Sequence, residues 1–169
     1  DLKALEEGGV AAAGNALFAP HPGVRRAREG RADLTFRAAD TSVVLLEISD
    51  AAGRVARTLK VKPRTGINRV VWNLRYDLAV PVALRTSPPD NPYIWDEPVY
   101  KGKDTRPIAH WGIQQPQSQG PLGAPGQYTV KLTVGGQSFT QSLTILKATD
   151  VPASVDDLIA STDAQVRVR

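Results

Sequence analysis

Several residue types that enzymes use for chemistry are missing or rare in this chain of 169 residues. Cysteine is absent, which excludes disulfides, thiolate metal sites, cysteine nucleophiles and iron–sulfur clusters. The two histidines, His21 and His110, are too few for a histidine-rich metal centre. The sequence also lacks a Walker loop and a dinucleotide-binding fingerprint. These absences favour a protein that is not an enzyme and that binds no cofactor.

Long apolar runs are also missing, since none approaches the roughly 18 consecutive apolar residues of a membrane-spanning helix. Methionine is absent, so we expect that Asp1 is not the translated start and that a leader was removed or the chain is part of a longer protein. Hydrophobic residues make up 41% and charged residues 22%, which is typical of a globular domain with a core.

Alternating apolar residues predict β-strands in the first half of the chain. Residues 34, 36 and 38 share one strand face, and residues 44, 46 and 48 share the next. Asp50 and Gly53 occupy the first and fourth positions of a predicted type I turn, after which residues 55–62 form the partner strand. A further strand places Val70, Trp72 and Leu74 on one buried face, with Trp72 as the expected core anchor.

The second half of the chain contains another predicted hairpin. Residues 126–134 alternate, Gly135 and Gly136 form a two-residue turn, and residues 137–145 return. The chain therefore predicts an all-β fold, an immunoglobulin-like or fibronectin-III-like antiparallel β-sandwich over residues 32–149.

Three segments add to this predicted sandwich. Residues 1–31 are expected to form an extended N-terminal arm, and residues 150–169 a C-terminal helical tail that begins at Ser154. Residues 76–125 hold 9 of the 13 prolines and two of the three tryptophans, which favours an ordered, aromatic-rich loop inserted in the sandwich.

The loop contains His110 and Trp111 with carboxylates and other aromatic residues. A hydrolase site would need a nucleophile or an activated water near His110, and the carboxylates lack a catalytic spacing. The aromatic residues therefore either hold the loop on the sandwich or form a platform that binds a sugar or a protein.

Basic residues dominate the first half, where residues 1–75 carry 13 lysines and arginines against 8 acidic residues. No acid occurs between positions 51 and 76. Two interpretations stay open: a basic face that meets anionic lipid headgroups or an acidic protein, or an edge strand that cations protect from aggregation. Nucleic acid is not expected as the partner, because the basic residues lack the pattern of a nucleic-acid-binding motif. The predicted basic face consists of Arg54, Arg57, Lys60, Lys62 and Arg64.

Residues 46–55 and 66–76 resemble an immunoglobulin-like domain of exported bacterial proteins. This domain follows sortilin-type or BNR-type β-propellers and is similar to the immunoglobulin-like domain of the flagellar hook-capping protein. The resemblance extends through residues 102–108, 110–112 and 120–132, and is most specific at 68–72 and 124–130. It implies a periplasmic or extracellular β-sandwich without catalytic residues of its own.

We therefore expect a non-catalytic structural or interaction module, an extrinsic subunit that binds a larger membrane-associated assembly, such as a respiratory or photosynthetic complex, on its periplasmic side. The alternative is a carbohydrate-binding or peptide-binding accessory domain of a propeller-containing exported hydrolase. The residues predicted to bind the partner are Phe18, Arg25, Arg26, Arg28, Tyr93, Trp95, Tyr100, His110, Trp111, Leu158 and Ile159.

Overall fold

The computed structural model describes residues 14–78, 85–86, 106–107 and 120–168. In chain order its strands are β1 (Ala16–Leu17), β2 (Gly23–Arg25), β3 (Gly30–Ala38), β4 (Val44–Asp50), β5 (Val55–Val61), β6 (Gly66–Trp72), β7 (Arg85–Thr86), β8 (Arg106–Pro107), β9 (Gly126–Val134) and β10 (Gln137–Lys147). Helix α1 (Val155–Arg167) follows. The predicted all-β fold with a C-terminal helix is confirmed for the described residues.

The chain divides into two compact units. The first combines Asp1–Asp77 with Gln119–Arg169, and the second is Leu78–Ser118. Within the second unit, β7 and β8 form an antiparallel pair. All the other strands belong to the first unit.

The first unit contains one connected sheet of eight strands. Its hydrogen-bonded order is β1-β3-β2-β10-β9-β4-β5, and β6 pairs with β3. β2 runs parallel to β10, whereas the other pairs are antiparallel. The prediction of a purely antiparallel arrangement is therefore wrong at this pair. β2 lies beside the last strand, β10. The turn after β2 is closed by a hydrogen bond of 2.8 Å from the Arg26 N–H to the Glu29 carbonyl, and it leads into β3.

β3 joins two parts of the sheet because it has different partners along its length. Gly30 and Arg31 pair with β2, and residues 32–38 pair with β6. The rings of Trp72 on β6 and Tyr128 on β9 meet edge to face with their centroids 5.3 Å apart. These two strands share no ladder, so the ring contact lies across the core between the two parts of the sheet.

The core consists of the alternating residues that the sequence predicts. Trp72 is 1% exposed and is one of the largest buried side chains, which confirms its role as core anchor. The same face of the strands supplies Leu34, Phe36, Val44, Leu46, Ile48, Val130, Leu132, Leu143 and Ile145.

Both predicted hairpins are present. A turn with Gly53 at φ 77° connects β4 and β5, and the Gly53 N–H donates to the Asp50 carbonyl at 2.9 Å. Gly135 and Gly136, with φ of 54° and 79°, connect β9 and β10. Two positive φ values at the centre of a two-residue turn are the geometry that matches the twist of the flanking strands.

Residues from position 14 onwards of the predicted N-terminal arm take part in the sheet. β1 pairs with β3, and beyond it the Phe18 N–H donates to the Thr35 carbonyl at 3.1 Å. Leu17 is 6% exposed and Phe18 7%. This part of the predicted arm is therefore held by backbone pairing and by burial of its apolar residues.

Helix α1 begins with a capping box at Ser154. The Ser154 hydroxyl accepts from the Asp157 N–H at 3.1 Å, and the Ser154 N–H donates to the Asp157 carboxylate at 3.2 Å. The helix packs through Leu158 and through Thr162, whose hydroxyl donates to the Leu122 carbonyl at 2.9 Å. A predicted N-cap and two buried residues thus fix the helix on the first unit.

Candidate interaction surface

The basic run between positions 51 and 76 divides into paired and unpaired cations. Arg54 lies between two acids, 2.7 Å from the Asp50 carboxylate and 2.6 Å from that of Asp163. Arg57 lies 3.0 Å from the Asp77 carboxylate. These two members of the predicted basic face are therefore neutralised within the molecule.

Of the five remaining cations, Arg75 donates to backbone carbonyls, and the other four form what we call the cationic edge. It consists of Lys60, Lys62, Arg64 and Arg69, which are all exposed. Among the described residues, none of the four has an ion-pair partner within 4.0 Å. Three of them belong to the predicted basic face, and the fourth, Arg69, lies on the next strand, β6, after the chain reverses.

Asn68 fixes this reversal. Its carboxamide oxygen accepts from the Arg64 N–H at 2.9 Å, and its amide nitrogen donates to the carbonyls of Arg64 and Gly66 at 2.7 and 2.9 Å. Gly66 has a φ of 100°, a backbone conformation that side chains with a Cβ rarely adopt. The turn therefore holds the end of β5 next to the start of β6.

β6 combines charge with exposed apolar side chains. Ile67 is 51% exposed and Val71 is 48% exposed, and the strand places Arg69 between them on the same face. β6 and β5 each pair with one strand among the described residues, so both are edge strands there. An edge strand leaves half of its backbone groups without a ladder partner.

A groove of about 540 Å³ borders Val71 and crosses β3 towards β2. Its apolar walls include Pro22, Val24 and Val71, and the ion pair of Arg31 with Asp33 at 2.9 Å lies among its polar residues. The groove lies where the pairing of β3 changes: Gly30 and Arg31 pair with β2, and the residues from Ala32 onwards pair with β6. Arg26, from the predicted partner-binding set, is part of its lining.

A second groove, of about 670 Å³, lies beside the first and includes Arg26, Arg28 and Arg75. Arg75 donates to the carbonyls of Gly120 and Arg28 at 2.9 and 2.7 Å, so its guanidinium is used to join these two segments. Arg26 lies 3.4 Å from the Asp150 carboxylate. The structure thus brings the predicted residues Arg26 and Arg28 to one groove, which also contains acids.

Two residues of the predicted partner-binding set are buried. Phe18 is 7% exposed and packs in the first unit. Arg25 is 5% exposed, and its Nε and Nη1 have no hydrogen-bond partner among the residues that the structure describes. Burial lowers the pKa of Arg25, and the neighbouring Arg75 lowers it further while Tyr128 acts in the opposite direction. Neither side chain offers a surface to a partner in this conformation.

The other predicted residues divide between the helix and the loop. Leu158 faces the core at 8% exposure, whereas Ile159 is 38% exposed. Tyr93, Trp95, Tyr100, His110 and Trp111 lie outside the described residues.

Sequence reasoning missed a polar cluster beneath helix α1. The Asp50 carboxylate accepts from the Tyr76 hydroxyl at 2.8 Å and from Arg54 Nε at 2.7 Å. The Nη2 atom of Arg54 donates to the Asp163 carboxylate on helix α1. Burial raises the pKa of Asp50, but the bonds from Tyr76 and Arg54 outweigh it and hold the pKa below its usual range. Burial also raises the pKa of Tyr128, to about 12. The acids on both sides of Arg54 are far apart in sequence, so no local pattern could have indicated the cluster.

The described part of the chain holds no group of three histidine, aspartate or glutamate residues arranged to bind a metal ion. No helix there is long and apolar enough to cross a membrane. No protein-family model matches the chain, and no curated protein matches it.

Proposed function

We propose that this chain is an exported, non-catalytic interaction module with an immunoglobulin-like β-sandwich. It binds a protein of a larger, membrane-associated assembly on the periplasmic side. The observation that carries the proposal is the cationic edge, because residues 60–71 combine four exposed cations that have no ion-pair partner among the described residues with two exposed aliphatic side chains, Ile67 and Val71. Interfaces between proteins combine apolar contact with charge complementarity.

The immunoglobulin-like assignment is supported by the arrangement of the strands. Two hairpins, β4 with β5 and β9 with β10, lie side by side through the β4–β9 pair. β6 contributes Trp72 to the core from the other part of the sheet. An antiparallel domain with a buried tryptophan between two groups of strands is typical of this architecture.

The proposal is tested by isolating the native protein from gently solubilised cells. Size-exclusion chromatography combined with mass spectrometry is expected to find it in a complex with specific proteins, at a mass far above 18.2 kDa. Reversing the charge at all four positions of the cationic edge is expected to release it, whereas Lys131→Glu, at an exposed lysine within the sheet, is the matched control. Elution of the unaltered protein on its own would refute the proposal.

A further inference from the structure

One edge of the sheet has the properties of a site for an added strand. β6 pairs with β3 at every position from Gly66 to Trp72 and with no other described strand. In an antiparallel pair, alternate residues turn their N–H and C=O groups away from the partner strand. In the part of the chain that the structure describes, these outward backbone donors and acceptors of β6 have no strand partner, and an extended peptide can satisfy them.

The side chains of β6 limit what such a peptide can contain. Ile67, Arg69 and Val71 point to one face and are exposed. A strand added beside β6 would bring its own side chains on that face directly opposite these three. Apolar residues fit beside Ile67 and Val71, and an acid fits beside Arg69.

The charges around β6 have the same sign. Lys62 and Arg64 lie just before the strand, and residues 51–76 contain no acid. The nearest acid across the ladder is Asp33, opposite Val71, and it is already paired with Arg31. An approaching acidic segment would therefore meet Lys62, Arg64 and Arg69, which have no ion-pair partner among the described residues.

β5 is also an edge strand, but it is less suited to accept a partner. Its register against β4 shifts between Ile48 and Ser49, which twists this end of the edge. Thr58 and Lys60 occupy its exposed face, where β6 has aliphatic residues. Inserted lysines and bulges are the features that prevent strand addition in natural sheets.

We propose that β6 is the docking strand of this module, and that its ligand is an extended segment of a partner protein in which acidic and apolar residues alternate. The inference rests on the proposed function and specifies the partner. Backbone bonds to β6 supply part of the affinity, and Arg69, Ile67 and Val71 supply the selectivity. A nucleic acid or an anionic lipid would use the charge but would not form the strand pairing with the backbone of β6.

The test uses a synthetic peptide of about nine residues, close to the upper length of a typical strand, with blocked ends and alternating valine and glutamate. Binding is followed by isothermal titration calorimetry. Arg69→Glu is expected to weaken binding about tenfold or more, and Lys131→Glu, in the middle of the sheet, to change it by less than about twofold. Lys60→Glu on β5 is the second control and is expected to have a much smaller effect than Arg69→Glu. Unchanged thermal unfolding of each variant confirms that it folds.

Two modified peptides test the backbone pairing directly. N-methyl groups on one set of alternate residues block the amides that face β6, and the same groups on the other set leave these amides free. We expect one modified peptide to lose binding and the other to retain it. Equal binding of both, or equal affinity for heparin and for the peptide, would overturn the inference. A dimer of the free protein that Arg69→Glu abolishes would identify a second copy as the occupant and would also overturn it.

The outcome for the partner can be separated from the outcome for the function. If the native protein elutes in its complex and the Arg69→Glu variant elutes in the same complex, the module function stands and β6 is not its docking strand. If the unaltered protein elutes alone while the peptide binds through β6, the docking strand stands without the proposed assembly.

Discussion

β5 and β6, two edge strands of the first unit, are equal in length and consecutive in sequence, yet their surfaces differ. β5 exposes Thr58 and Lys60, has one exposed aliphatic side chain, Val55, at its start, and carries a register shift, whereas β6 keeps its register and exposes Ile67 and Val71. Lysines, charge and bulges protect an edge from unwanted pairing. The difference indicates that β5 is protected against association and that β6 is available for it.

The two strands also differ in how they are anchored. The turn before β5 is tied to helix α1 by the chain of bonds from Asp50 through Arg54 to Asp163. β6 is anchored by a single large side chain, Trp72, whose Nε1–H donates to the Arg75 carbonyl at 3.0 Å. The start of β5 is thus held by polar contacts, and β6 is held by the burial of Trp72.

The largest expected effect is at the anchor of β6. Trp72→Ala removes a buried ring and its contact with Tyr128, and we expect a loss of about 3–5 kcal/mol in the free energy of unfolding. The matched change on β5, Leu59→Ala, removes a partly buried side chain and is expected to cost about 2 kcal/mol or less. Urea unfolding followed by far-UV circular dichroism measures both. Equal losses would show that the two edges are anchored alike.

The second prediction concerns the polar anchor of β5. The Asp50 side chain is 8% exposed, and Asp50→Asn replaces its charge-assisted bonds with weaker ones, at an expected cost of about 1–3 kcal/mol at neutral pH. The folded-state pKa of Asp50 lies below its usual range. The ionised Asp50 therefore contributes fully to the free energy of unfolding above about pH 4, and this contribution is lost as the pH falls through the folded-state pKa.

Urea unfolding between pH 7 and pH 2 checks this contribution. The stability gap between the unaltered protein and Asp50→Asn is expected to close as the pH falls. Asp33→Asn, at an exposed ion pair, is the control, and it is expected to change stability by less than about 1 kcal/mol. A gap that stays constant with pH would mean that Asp50 stabilises the fold by some other route than its charge.

The contrast between the edges shows which features a sequence can reveal. The alternation in β4, β9 and β10 identifies the strands, and Gly135 and Gly136 identify a hairpin turn, because these signals depend on neighbours in the chain. Ser154 likewise indicates the start of helix α1 within a few residues. The local elements were therefore predictable.

The features that distinguish the edges depend on partners far away in sequence. The sequence shows five cations between positions 54 and 64, but only the fold shows that Asp163 and Asp77 neutralise Arg54 and Arg57. It also shows that Lys60, Lys62, Arg64 and Arg69 have no ion-pair partner among the described residues. The parallel pairing of β2 with β10 was not predicted, because β2 is three residues long, carries no strand pattern of its own and pairs with residues that are far away in sequence.

The third prediction concerns the link between the two edges. Gly66 has a φ of 100°, and Gly66→Ala is expected to cost about 1–2 kcal/mol because a Cβ strains this conformation. Space is not the reason, since an added Cβ would meet no atom within 4 Å. Gly14→Ala, at a site with equal space and without a positive φ, is the control and is expected to have little effect. Thermal unfolding compares the two, and equal melting temperatures would mean that the turn tolerates a side chain.

The smallest effect on stability, and the sharpest test of the comparison, comes from removing the protection of β5. The double substitution Lys60→Val and Lys62→Val leaves the core untouched and is expected to change the free energy of unfolding by less than about 0.5 kcal/mol. It gives β5 an apolar exposed edge, so we expect self-association that grows with protein concentration in light-scattering measurements. Lys131→Val is the control, because β9 has a strand on both sides and offers no free backbone. If the double variant stays monomeric while Lys131→Val associates, then exposed apolar area governs association and the open edge does not. That result would refute the proposed difference between β5 and β6.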